Sequence, residues 1–252
     1  MITIGLLGCG NVGHILAKHR EEITIVALHD SVHSRAEELS RVIGIPAYET
    51  FEEFLSADFD IVVEAASVEA VKQYAETILA HGKDLVVLSV GALADDTFRK
   101  RLSRLAASLG RKVYIPSGAI IGLDNLKIGQ IARIDRLMLR TTKNPRSLGI
   151  EADRKMLIFK GKANDCIKQF PKNINVAVAL ELAAGREAEV ELWVDPDVDR
   201  NIHEVLVEGE FGEITICVRN MPSPENPATS YLAALSILTL LRNLENPIKI
   251  GT

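Results

Sequence analysis

Gly8-Cys9-Gly10-Asn11-Val12-Gly13 lies between a short apolar run, Ile2-Thr3-Ile4-Gly5-Leu6-Leu7, and a segment carrying Val12, Ile15 and Leu16 at helical spacing. Strand, glycine loop and helix in that order restrict the start of the chain to a unit that can cradle a dinucleotide pyrophosphate. Each glycine has a separate task. Gly8 permits the tight turn, Gly10 lets a pyrophosphate approach the backbone, and Gly13 lets the helix pack closely on the strand. Asn11 and Val12 open the helix, whose free N–H groups and positive dipole end suit phosphate oxygens.

A glycine pattern alone recurs by chance, so the next strand matters. Ile23 to Leu28 reads as that strand, and Asp30 stands just past its end. This is about 20 residues beyond the glycines, where an acid accepts hydrogen bonds from the adenosine ribose. Asp30 argues for NAD, while Ser31, His33 and Arg35 nearby are compatible with a 2′-phosphate and leave NADP open. The plainer alternative is a tight turn followed by a solvated aspartate.

The rhythm continues to about residue 116. Ser34 to Val42 reads as a helix, and Thr50 as the N-cap of a short one over Phe51 to Leu55. Asp60 to Ala66 is an apolar strand, Ser67 caps a helix through Leu79, and Leu85 to Leu88 is another strand. Asp95 starts a helix to Leu109, and Val113-Tyr114-Ile115 is a last strand. Apolar strands alternating with helices predict a Rossmann doubly wound parallel sheet over residues 1–116. Its strands end in small residues, Ala65-Ala66-Ser67, Ser89-Val90-Gly91-Ala92 and Ser117-Gly118-Ala119, at the edge where such sheets bind ligands. Ordinary strand-to-helix turns would look the same.

After about residue 122 the pattern changes. Leu123 to Ile131 looks helical, followed by strands at 136–142, 156–159, 190–194, 204–208 and 214–218, with one helix over Ile174 to Leu182. The last two strands flank Gly209-Glu210-Phe211-Gly212-Glu213 and read as a hairpin. Residues 117–225 thus predict an α+β domain with a mixed sheet, expected to serve substrate binding and dimerisation. In 226–252, Asn226 and Pro227 suit the start of a helix, Ala228 to Leu241, that is apolar on nearly every face. It is expected to be buried, packing back on the N-terminal domain or between the two.

Composition narrows the function. A net charge of −5 argues against a nucleic-acid-binding face, and no apolar run has transmembrane length. Cys9, Cys166 and Cys217 are isolated and odd in number, with no metal-ligand spacing, so no metal is expected. A basic leader is missing, and a cytoplasmic protein is expected.

Among histidines, His14, His19, His29 and His81 have structural explanations at helix and strand ends. His203 follows the polar turn Asp195 to Asn201 and precedes a strand, where neighbouring carboxylates would hold it near neutral pKa as an acid or base. Lys172 and Asn173 open a helix and suit a carboxylate, though capping by Asn173 is an alternative. Arg140 and Lys143 end a strand and suit another carboxylate, or simply solvent.

Taken together, the segments resemble the L-aspartate dehydrogenase family of archaea and bacteria. The resemblance is carried in order by 8–13, Val63-Glu64-Ala65-Ala66-Ser67, Leu88-Ser89-Val90-Gly91-Ala92, Ser117-Gly118-Ala119-Ile120, Phe170 to Val176, Asn201-Ile202-His203-Glu204, Gly209 to Gly212 and Asn226 to Leu232. It departs at Ile121, where a smaller residue is common, and over Thr142 to Pro145. The resemblance implies NAD- or NADP-dependent oxidative deamination of L-aspartate through iminoaspartate, or the reverse amination of oxaloacetate. It implies a catalytic histidine at His203 and nicotinamide-side contacts at Ala119 and Asn175. Ala65, Ala66, Ser67, Ser89 and Gly91 would line the cofactor, with Ser117, Lys172 and Asn173 on the substrate. A homodimer is expected. A dihydrodipicolinate reductase-like or homoserine dehydrogenase-like enzyme has the same architecture, and a non-catalytic dinucleotide sensor remains the third reading.

Overall fold

The computed structural model describes residues 2–170, 174–223 and 229–250. The chain forms two compact units: residues up to Pro116 together with Ala234–Ile250, and Ser117–Ala233.

In the first unit the apolar runs become β1 (Thr3–Leu7), β2 (Thr24–His29), β3 (Ile61–Glu64), β4 (Asp84–Val87) and β5 (Val113–Tyr114). They lie in the order β2-β1-β3-β4-β5, with every pairing parallel. Beyond β2, Ala47 makes a single parallel bridge to Leu28. Counted as a rudimentary strand, it completes the six-position doubly wound order, whose switch point falls between β1 and β3. β3 is buried at all four positions, as a strand covered on both faces must be.

The helices are α1 (Asn11–Lys18), α2 (His33–Ile43), α3 (Phe51–Ser56), α4 (Val68–Ala80) and α5 (Asp96–Leu109). Their starts follow local hydrogen bonding. Thr50 and Glu53 close a capping box on α3, the Ser67 hydroxyl accepts from Ala70 N on α4, and Asp95 accepts from Phe98 N on α5.

In the second unit a one-turn helix α6 (Leu123–Leu126) runs into a 3₁₀ turn at Lys127–Gln130, where the sequence suggested one continuous helix. Then come β6 (Ile134–Lys143), β7 (Met156–Lys162), α7 (Ala163–Gln169), α8 (Ile174–Ala184), β8 (Glu189–Val194), β9 (Ile202–Gly209) and β10 (Gly212–Arg219). The sheet order is β10-β9-β6-β8-β7, with β6 and β8 parallel and the other neighbours antiparallel. Helix α7 was not expected. With only Ala163 and Cys166 buried, it is too short for apolar periodicity to reveal it. The core gathers Leu126, Cys166, Ala177 and Leu180 from the helices against Leu137, Leu139, Val190, Val205 and Val207 from the sheet.

The last described helix, α9 (Tyr231–Glu245), departs from expectation. Only one stripe, Ala234, Ile237 and Leu241 with Ser236, is buried, while Leu232, Leu235, Leu238 and Leu240 are half-buried. Within the first unit Glu245 accepts a hydrogen bond from Ile2 N, and Arg242 lies 3.6 Å from Glu22. Asn226, Pro227 and Ala228, expected to start this helix, lie outside the described residues.

Candidate active site

The glycine loop owes its shape to crowding from the protein at two glycines and to open space at the third. Gly8 has φ +104°, and a Cβ there would stand 2.7 Å from the Ala65 carbonyl at the end of β3. A Cβ on Gly13 would stand 2.7 Å from Gly8 O. Gly10 differs, because a Cβ would meet no protein atom within 4 Å. Gly10 precedes the first turn of α1, where Asn11 and Val12 begin the helix. A position open to one side at a helix N-terminus fits close approach of a pyrophosphate.

Asp30 is buried at the end of β2. Its Oδ2 accepts from Cys9 N and its Oδ1 from Val32 N, both at 2.8 Å. Those two bonds tie the glycine loop to β2 and leave each oxygen a lone pair for a ribose hydroxyl. Burial, with the Asp30 charge second, pushes the Cys9 thiol up to about 12, so it stays a thiol. Of the side chains that could hold a 2′-phosphate, His33 lies 3.6 Å from Glu37, while Ser31 and Arg35 are exposed.

Sequence reasoning assigned no role to Glu64, yet this carboxylate organises the mouth of β3 and β4. It is fully buried. Its Oε1 accepts from Ala66 N and Ser89 Oγ at 2.8 Å, and its Oε2 from Ser89 N at 3.0 Å. Burial raises its pKa against the pull of those hydrogen bonds. Glu64 thus fixes Ala66 and Ser89, two of the positions proposed to line a cofactor. The remaining ones, Ala65, Ser67 and Gly91, adjoin them at the same strand ends. An acid closing an apolar strand gives no periodic signal, and Glu64 stands out in the sequence only as part of the Asp60–Ala66 run and of the Val63–Ser67 segment that carries the resemblance.

In the second unit, Asn220 pins the loop of Ser117 and Ala119. Asn220 is buried, donates from Nδ2 to Ala119 O at 2.9 Å, and accepts from the buried Ser230 hydroxyl at 2.6 Å. Asn175 lies exposed in the first turn of α8. Lys172 and Asn173 lie outside the described residues.

His203 lies within β9 and not ahead of it, and it is buried. The β6–β9 register sets it opposite Thr141, and the Thr141 hydroxyl shares a hydrogen bond with His203 Nδ1 at 3.0 Å. The expected carboxylate neighbours are elsewhere. Glu204, one residue on, alternates to the opposite sheet face and lies 3.9 Å from Arg140. Asp199 pairs with Arg200, and Asp195 accepts from Asp197 N. Among the described residues, the charge near His203 is that of Lys143. Burial first, then the Lys143 charge, push the imidazole down to about 3, correcting the expectation of a near-neutral pKa. At neutral pH the ring is uncharged, with a lone pair for proton transfer.

Arg140 and Lys143 separate in the same way. Arg140 joins Glu191 on the far face through a 2.9 Å bond, and Lys160 and Trp193 also donate to Glu191. Burial alone would raise Glu191, but those donors outweigh it and hold it at about 2. Elsewhere, His29 and His81 each direct Nδ1 to a backbone carbonyl, of Tyr48 and Thr77 respectively. Among the described residues no group of three or more His, Cys, Asp or Glu converges on a metal position, and no helix is long and apolar enough to cross a membrane.

Comparison with known proteins divides the chain along similar lines. Residues 4–116 match the family model described as homoserine dehydrogenase, NAD binding domain, and residues 124–244 match aspartate dehydrogenase, C-terminal. The L-aspartate dehydrogenase of Methanospirillum hungatei is 62% identical over the whole of both chains. That of Archaeoglobus fulgidus is 47% identical, covering 97% of this chain and 98% of its own. The crystal structure of aspartate dehydrogenase from Thermotoga maritima superposes with a TM-score of 0.84 at 32% identity, covering all of both chains. A homoserine dehydrogenase from Thiobacillus denitrificans, at 17% identity and TM-score 0.64 over 96% of this chain and 73% of its own, shares the fold.

Proposed function

The chain belongs to the L-aspartate dehydrogenase family, and on that premise we propose that it oxidises L-aspartate with NAD or NADP, releasing oxaloacetate and ammonia through iminoaspartate, or runs the reverse amination. The observation that carries the reading is the buried His203, hydrogen-bonded to Thr141 in a unit separate from the glycine loop.

The dinucleotide supplies hydride acceptance when bound. Gly8, Gly10, Gly13, Asn11 and Val12 would hold its pyrophosphate and Asp30 its adenosine ribose. Ala65, Ala66, Ser67, Ser89 and Gly91 would line it at the strand ends, with Ala119 and Asn175 on the nicotinamide side. Ser117, Lys172 and Asn173 would contact substrate.

His203 handles protons. Loss of hydride from Cα needs the lone pair of the substrate nitrogen, so an ammonium proton must leave first. Water adding to the resulting iminium carbon then gives up a proton, and ammonia departs as the carbinolamine collapses. In the tautomer that donates Nδ1–H to the Thr141 hydroxyl, the Nε2 lone pair takes the ammonium proton and passes it to solvent, then takes the proton of the attacking water and returns it to the departing nitrogen. A positioned base of this kind contributes about 10²–10⁴-fold.

Steady-state formation of reduced cofactor tests the reading. L-aspartate should be turned over with NAD or NADP, and L-glutamate and L-alanine at most weakly; equal turnover of all three would remove aspartate as the substrate. We further propose a homodimer through the sheet face of the second unit opposite α7 and α8. That face presents the Arg140–Glu191–Lys160 cluster beside the exposed Leu157. A monomer in sedimentation at micromolar concentration would contradict this.

A further inference from the structure

Among the described residues two lysines are buried, Lys83 and Lys143, and their surroundings differ. Lys83, 7% exposed, donates from Nζ to the carbonyls of Ala57 and Phe59 at 2.9 Å each and stands 3.7 Å above the Phe59 ring. That is how a structural ammonium is satisfied away from water.

Lys143, 9% exposed, has no such arrangement: among the described residues no hydrogen-bond acceptor or carboxylate meets its ammonium. It ends β6 two residues beyond Thr141, so strand alternation turns it to the face shared by Thr141, His203, Leu137 and Leu139. Across β8 its register partner is the fully buried Val194, with Leu192 opposite Thr141. Glu191 and Glu204 alternate to the other face, where Arg140 meets them. Asp195, whose N–H donates to Lys143 O, turns its own carboxylate to Asp197 N. Among the described residues, the titratable group that faces Lys143 is His203 on β9.

A lysine so largely covered, with no carboxylate paired to its ammonium among the described residues, carries a charge open to an incoming anion beside His203, and that points to a ligand that supplies the missing partner. We propose that the Lys143 ammonium binds one carboxylate of the dicarboxylic substrate, seating the substrate against the His203 imidazole. This rests on the aspartate dehydrogenase reading and identifies within it a substrate contact that the sequence left undecided between ligand and solvent.

The electrostatics agree. Burial lowers Lys143 to about 8, and its charge helps to depress His203. A bound carboxylate reverses both effects, keeping Lys143 charged and making His203 a stronger base once substrate is seated. In the free enzyme Lys143 loses its proton as pH rises through about 8. An alkaline limb near that pH is therefore expected in kcat/KM, which reports the free enzyme, and at higher pH in kcat, which reports the complex.

Lys143→Met and Lys143→Arg in the full chain test this, with NAD binding measured in each as the check on folding. Lys143→Met should raise the KM for L-aspartate by about 30-fold or more, the low end for losing one partner of a buried charge pair, with NAD affinity unchanged. Lys143→Arg should restore much of that loss and abolish the limb near pH 8, because guanidinium stays charged. A parental KM in Lys143→Met, or an unmoved limb in Lys143→Arg, overturns the proposal. If Lys143→Met fails to bind NAD, the Lys143→Arg profile decides. Absence of aspartate turnover by the parent chain would sink the underlying reading as well, whereas turnover with an indifferent Lys143 sinks this inference alone.

Discussion

At the scale of single residues, three of the buried charges, Asp30, Glu64 and Lys143, lie where ligands are expected. Glu64 is the clearest case in the first unit, because three donors from two strand ends converge on one carboxylate. Glu64→Gln keeps the shape but turns an NH₂ toward one of those donors. The expected result is a loss of about 1–3 kcal/mol, the range for an unsatisfied buried polar group, read as a lower denaturant midpoint. An unchanged midpoint would mean that the carboxylate does not tie β3 to β4. His203 shows why residue-level reading of sequence falls short. Asp195, Asp197, Asp199 and Glu204 crowd it in the chain, which suggested a carboxylate environment. Strand alternation and local turns direct those acids elsewhere and bring Lys143 in their place.

At the scale of elements, the loop before α1 was legible because each glycine answers a local need. Gly8 and Gly13 are constrained by the protein itself, whereas Gly10 is constrained by no protein atom nearby. The two kinds of constraint separate experimentally. Gly13→Ala drives a methyl into Gly8 O and should destabilise by about 1–3 kcal/mol, the usual range for overpacking, on thermal unfolding. Gly10→Ala should leave unfolding unchanged and weaken NAD affinity at least about tenfold, since one methyl in the pyrophosphate's path costs a kilocalorie or more. Unaltered affinity in Gly10→Ala would exclude a pyrophosphate at that position. Helix starts at Thr50, Ser67 and Asp95 were legible for the same local reason. Helix α7 and the break after α6 were not, being segments of seven and four residues whose helical state depends on packing against the sheet. The incomplete burial of α9 was equally hidden, because apolar composition says which surfaces want cover and not how much the fold provides.

At the scale of the whole molecule, alternation of strand and helix identified the doubly wound sheet, and loss of that rhythm marked the mixed sheet that follows. The grouping of Thr141, Lys143 and His203 could not be read from the chain. It needs the antiparallel β6–β9 register, which joins positions 62 residues apart. Each unit then holds one half of the proposed chemistry, dinucleotide binding at the glycine loop and proton transfer at His203. The most direct test is His203→Ala, measured for NAD affinity and for steady-state turnover of L-aspartate in the same preparation. Affinity should be retained while kcat falls by about 10²-fold or more, the contribution expected of a positioned base. Turnover at the parental rate, with NAD still bound, would contradict the assignment of the proton-transfer step to this imidazole.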